Sequence, residues 1–121
     1  MNGGLGNDTL TGGYGQDQFV FNTALNGNTN VDRIVDFTPN TDKLLLENAI
    51  FTLLLNNGAL NAANFVANAT GTAAEDNDFV VYNSVTGQLS YDADGNGGNA
   101  AIAFANLVSH PALTAADFMV I

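Results

Sequence analysis

Residues 3–11 read GGLGNDTLT and residues 12–20 read GGYGQDQFV, an ungapped tandem repeat with a period of nine. Each copy follows GGxGxDxUx, where U is a large apolar residue. Asp8 and Asp17 take the sixth position, and Leu10 and Phe19 the eighth. The glycines permit positive φ and let carbonyl oxygens converge, the aspartate adds a short anionic oxygen, and the x-U-x triplet makes a short strand with U turned inward. Such a unit cannot bury its apolar face alone, so successive copies must stack, with consecutive half-turns on opposite sides of a coil. The loop chemistry is that of a calcium site, and its candidate ligands are Gly3, Gly4, Gly6 and Asp8 in the first copy and Gly12, Gly13, Gly15 and Asp17 in the second. Two glycine-rich hairpin turns are the alternative. They account for the glycines but not for an aspartate and an apolar residue recurring at one phase.

The repeat resembles the nonapeptide of RTX, or haemolysin-type calcium-binding, proteins, and the downstream sequence extends the resemblance. A strand-like alternation at residues 19–22 leads through a polar loop to Asn30. Residues 31–37 then read VDRIVDF, Pro39 marks a turn, and residues 42–47 read DKLLLE. This is similar to the C-terminal domain of serralysin-type metalloproteases, in which the roll passes into a segment DxIxDFxxGxDxIDLS. Asp32, Ile34, Asp36, Phe37 and Asp42 keep that phase, whereas Leu45, Leu46 and Glu47 replace Asp-Leu-Ser, so no ligand is carried over to position 45. The resemblance implies that Asp36 and Asp42 close a calcium site against the last roll turns, with Asp32 assisting. The competing reading is that these aspartates cap turns or face solvent.

Charge agrees with a cation ligand. Lys43 and Arg33 alone oppose twelve acidic residues, ten of them Asp, for a net charge of -10, which disfavours nucleic acid and anionic membranes as partners. There is no cysteine, so calcium rather than a disulfide or thiolate metal is the expected staple. The 46% hydrophobic content implies a folded core, while the longest apolar runs fall far short of the roughly 20 residues of a membrane helix. The N-terminus shows no signal peptide. A catalytic reading finds one histidine, His110, and no HExxH, Gly-x-Ser-x-Gly or cysteine nucleophile, so the chain is expected to be a non-catalytic module.

Residues 58–66, GALNAANFV, are echoed by PALTAADFMV at 111–120, each suiting one helical turn between a buried Leu and Phe and leading into a strand. Asn57-Gly58 signals a turn. Three strands are expected within DFVVYN, GQLSYD and AAIAFANLV. Seven or eight short strands with almost no helix give an all-β fold: the end of a parallel β-roll at residues 1–22, continuing into a β-sandwich-like cap at 23–121. YDADGNGG at 91–98 opens like an EF-hand loop, with Asp92, Asp94 and Asn96 in phase, but the twelfth position is Ala103 and both flanks read as strand. The stretch also resembles TGxLxYDxDG of RTX secretion-target domains. A calcium site using Asp92, Asp94 and Asn96 stands beside an Asp/Gly-rich hairpin.

The final residues, Asp117 followed by Phe118, Met119, Val120 and Ile121, resemble the uncleaved signal of type I secretion substrates. The resemblance therefore implies a secreted, monomeric calcium-binding module recognised by a type I ABC transporter and folding on calcium outside the cell. Two rival functions are a carbohydrate-binding or substrate-positioning module, which needs exposed aromatics, and an adhesive or surface-layer segment, which should self-associate.

Overall fold

The computed structural model describes residues 1–54, 57–95 and 101–121. The two repeats supply strands β1, Thr9–Leu10, and β2, Gln18–Phe21, which enter different sheets, as alternating half-turns of a roll must. Each lies parallel to a strand from the next coil. Strand β3, Asp32–Ile34, pairs with β1, matching Thr9 with Arg33, and β4, Lys43–Leu46, pairs with β2, matching Gln18 with Lys43. The inward positions of the repeat are filled as the period requires: Phe19 is fully buried and Gln18 exposed.

Distant segments then complete both sheets. The first sheet has the order β1-β3-β9-β8-β7-β6, with β9, Ile102–Leu107, parallel to β3 and a meander through β8, Gln88–Tyr91, to β7, Val80–Asn83. Strand β6, Phe65–Asn68, lies parallel to β7 at the edge. The second sheet has the order β2-β4-β10-β5, in which β10, Phe118–Val120, runs parallel to β4. Strand β5, Gly58–Ala59, pairs antiparallel with β10. Asn57 lies in a bend and Gly58, at φ 110°, continues directly into this pairing. Among the described residues there are ten strands and two 3-10 turns, more strands than the seven or eight expected because β1 and β5, each only two residues long, add to the count.

Side chains from both sheets meet in one core. Phe104 packs edge-on against Phe21 from the second sheet and Phe51 from the loop after β4, with centroids 5.2 and 5.0 Å away, and Phe51 continues to Tyr91 at 5.2 Å. The echoed phrases form equivalent corners. Asn61 caps the turn Ala62–Asn64 before β6, and a Thr114/Asp117 capping box closes the turn Ala115–Asp117 before β10. The corners touch through Phe65 and Phe118, whose centroids lie 5.2 Å apart, while Leu60 and Leu113 are buried beside them. Among the described residues no helix is long and apolar enough to cross a membrane.

Candidate metal centre

The roll loops place the repeat aspartates at two positions, one before β1 and one before β2. At the first, the Asp8 N–H donates to Asp32 Oδ1 (3.0 Å), and the Arg33 N–H returns a bond to Asp8 O (2.7 Å). One oxygen from each carboxylate converges over Gly3: Asp8 Oδ2 and Asp32 Oδ2 each lie 2.9 Å from where a Cβ on that residue would stand. At the second, the Asp17 N–H donates to Asp42 Oδ1 (3.0 Å), and the Gly12 and Gly13 N–H groups donate to Asp36 Oδ1 (2.9 Å) and Oδ2 (2.7 Å). A Cβ on Gly12 would lie 2.5 Å from Asp17 Oδ2.

The repeated glycines therefore meet two separate demands. The first of each copy, Gly3 or Gly12, leaves room for a carboxylate, and the second and fourth positions, Gly4 and Gly6 or Gly13 and Gly15, all have φ between 74° and 105°. At matching positions the two copies repeat the positive φ and the crowding of the first glycine by the repeat aspartate.

Asp36 and Asp42 have both oxygens engaged by backbone donors, Asp42 Oδ2 accepting from the Thr38 N–H at 2.9 Å, so each ties one coil to the next. Two backbone donors hold the Asp36 carboxyl below the usual carboxylate range. Burial pushes Asp32 up, and the nearby Asp8 carboxylate adds to the rise. The sequence expectation that Asp36 and Asp42 share a site with Asp32 divides accordingly: Asp32 faces Asp8, whereas Asp36 and Asp42 face the second loop.

A cation fits these loops on physical grounds. Asp8 Oδ2 and Asp17 Oδ2 are buried, and among the described residues neither has a hydrogen-bond partner. Buried polar atoms are nearly always satisfied. No group of three His, Cys, Asp or Glu side chains among the described residues forms a metal cage. The ligand set would therefore combine Asp8 with Asp32, or Asp17 with the Asp36 and Asp42 side of the next coil, and draw further oxygens from the loop carbonyls, as calcium readily accepts.

Asp92 follows β8, is 7% exposed, and donates its N–H to Phe79 O (2.8 Å). Its carboxyl is pushed up to about 6 by burial first and then by Asp94. Asn96, the third member of that sequence motif, lies outside the described residues.

Sequence reading did not foresee the linkage at Asp117. This residue is 1% exposed, and its Oδ1 accepts from the Asn40 N–H (2.9 Å) and its Oδ2 from the Thr114 N–H (2.9 Å). Asn40, at φ 66°, belongs to the turn between β3 and β4 that also carries Asp42, so the C-terminal corner is fastened to the second loop system. The capping pattern in the sequence revealed the Thr114 contact but carried no signal for Asn40.

No curated protein and no solved structure matches the chain. The family model described as Peptidase M10 serralysin C terminal matches residues 1–120, and the chain belongs to that family.

Proposed function

We propose that this chain is a calcium-dependent folding and export module, the non-catalytic end of a secreted protein. Membership in the serralysin C-terminal family supports the coarse reading, a calcium-binding RTX-type module in a secreted setting. The observation that carries the finer reading is the pair of buried, unpartnered oxygens, Asp8 Oδ2 and Asp17 Oδ2, each set at matching repeat positions against a glycine that admits no side chain. In a low-calcium cytosol, repulsion among the carboxylates and the entropy of glycine-rich loops oppose folding, leaving a chain that a type I ABC transporter can thread. Outside, calcium at about 10⁻⁴ to 10⁻³ M binds the native state and stabilises it by linkage. The net charge of -10 favours a monomer.

The export address is residues 117–121. Strand β10 lies between β4 and β5 with Phe118 and Val120 buried, so this address is exposed to a transporter while the chain is unfolded. The carbohydrate-binding alternative loses support from the burial of two of the three tyrosines, Tyr82 and Tyr91, in the core.

Calcium titration into chelator-treated protein, followed by calorimetry and amide NMR, tests the binding reading. The expected result is a saturable transition with shifts across residues 3–17 and 32–42. No saturable response at millimolar calcium overturns it. For export, a passenger fusion in a host with a type I transporter is compared with a variant lacking residues 119–121. Export of both at equal levels, with calcium-induced folding retained, refutes the address.

A further inference from the structure

We propose that Asp117 is a positioning residue for the second roll loop, so that calcium binding there and the seating of the C-terminal strand β10 are coupled, while the first loop stands outside the coupling. The inference rests on the calcium reading above and adds its regulation.

The second loop and the C-terminal corner meet at one turn. Asp17 is bonded to the next coil through both backbone groups: its N–H donates to Asp42 Oδ1 (3.0 Å), and its O accepts from the Lys43 N–H (2.9 Å). Asp42 closes the turn of residues 38–42, its Oδ2 accepting from the Thr38 N–H (2.9 Å) while its own N–H donates to Thr38 O (2.9 Å). Inside that turn stands Asn40 at φ 66°, uncommon for a residue with a Cβ, and its N–H donates to Asp117 Oδ1 (2.9 Å). Asp117 is itself buried, and its Oδ2 accepts from the Thr114 N–H (2.9 Å), which gives the carboxylate a fixed place in the corner Ala115–Asp117. A second tie runs beside the first, the Lys43 ammonium donating to Ala116 O. Strand β4 then leaves the loop paired in parallel with β10, Leu44 beside Phe118. Asp17, whose Oδ2 is buried without a hydrogen-bond partner among the described residues, is thus joined to β10 through Asp42 and the Asn40 turn.

The first loop is tied elsewhere. Asp8 is bonded to Asp32 and Arg33 of β3, and β3 passes on to β9 in the other sheet. A cation on Asp17 needs its loop held against Asp42, and undocking of β10 releases the turn that Asp42 closes, so the ion and the strand favour the same arrangement. By reciprocity, the factor that seated β10 adds to calcium affinity at the second loop is the factor that calcium adds to the seating of β10. Residues 117–121 are the proposed export address. While a transporter holds them the β10 position is empty and the second loop binds calcium weakly; release of the terminus completes the site, whereas the first loop fills without it.

The test titrates calcium chloride into the chelator-treated full chain and compares the amide NMR responses of residues 12–17 and 36–42 with those of residues 3–8 and 32–33. Wild type is set beside Asp117→Ala, Asn40→Val and Asn40→Gly. Asp117→Ala removes the acceptor, and a β-branched residue resists the φ that Asn40 adopts; each is expected to weaken the second loop about tenfold and the first less than about twofold. Asn40→Gly keeps the N–H and takes that φ freely, so it should bind as wild type does; weakening as large as in Asn40→Val overturns the backbone route. Equal weakening of both loops, or unchanged affinity at the second, overturns the coupling and leaves Asp117 a fastener of the corner alone. If folding and binding are one event and the loops respond together, urea unfolding over a calcium series decides. Stability of wild type should then rise with log calcium more steeply than that of Asp117→Ala, by up to about one ion, and parallel slopes overturn the proposal. No calcium response in wild type removes the calcium reading itself, whereas a wild-type response with unaltered second-loop affinity in Asp117→Ala removes this inference alone.

Discussion

Asp117→Ala separates a structural role of the C-terminal corner from its proposed role as an address. The carboxylate is buried and accepts one backbone N–H on each oxygen, from Asn40 and Thr114, both at 2.9 Å. Hydrogen bonds to a charged group contribute about 1.5–3 kcal/mol each, while relief from burying the charge returns part of that sum. The net loss is expected to be about 3 kcal/mol, a large part of the roughly 5–15 kcal/mol that holds a domain together. For a chain of this size it corresponds to a fall in melting temperature on the order of 10 °C. Urea unfolding in saturating calcium, followed by far-ultraviolet circular dichroism, measures the difference. Asp117→Asn keeps one acceptor oxygen but turns an amide donor toward the other N–H, so its loss should be nearly as large. A loss below about 1 kcal/mol for Asp117→Ala would show that the Asn40 and Thr114 contacts do not fasten the corner.

Gly12→Ala places a Cβ 2.5 Å from Asp17 Oδ2 and should weaken calcium binding about tenfold, or about 1.4 kcal/mol, by isothermal calorimetry; unchanged affinity would disprove the carboxylate-clearance account. Asp36→Ala should reduce calcium affinity more than Asp76→Ala, because Asp36 secures Gly12 and Gly13, and equal effects would remove Asp36 from the site. Tyr82 is fully buried and donates to Pro111 O (2.7 Å), with burial holding its phenol above the usual range. The unfolded chain ionises first, so this contribution is complete below about pH 10 and is lost as pH rises through the folded value. Tyr82→Phe should cost about 1 kcal/mol at neutral pH and flatten the alkaline end of a stability–pH curve; an unchanged alkaline slope would assign that slope to other groups.

Much of the fold and candidate site is local information. The nine-residue phase of Asp8 with Asp17 and of Leu10 with Phe19 determined the loop-strand alternation, because glycine freedom and side-chain direction act within a few residues. The echoed phrases determined the two 3-10 corners for the same reason: a cap bonds to amides in its own turn. Strand neighbours across the molecule are another matter. That β9 joins β3 and β10 joins β4 depends on closing long stretches of chain around the shared core of Phe21, Phe51 and Phe104, and no local pattern encodes such a partner. Tertiary structure also decided what the aspartates do. Asp32 faces Asp8 while Asp36 and Asp42 brace the second loop, since stacking the coils brings each carboxylate to amides 23 to 25 residues earlier. Asp117 reaches Asn40 across 77 residues because β10 lies beside β4, the strand that follows the Asn40 turn.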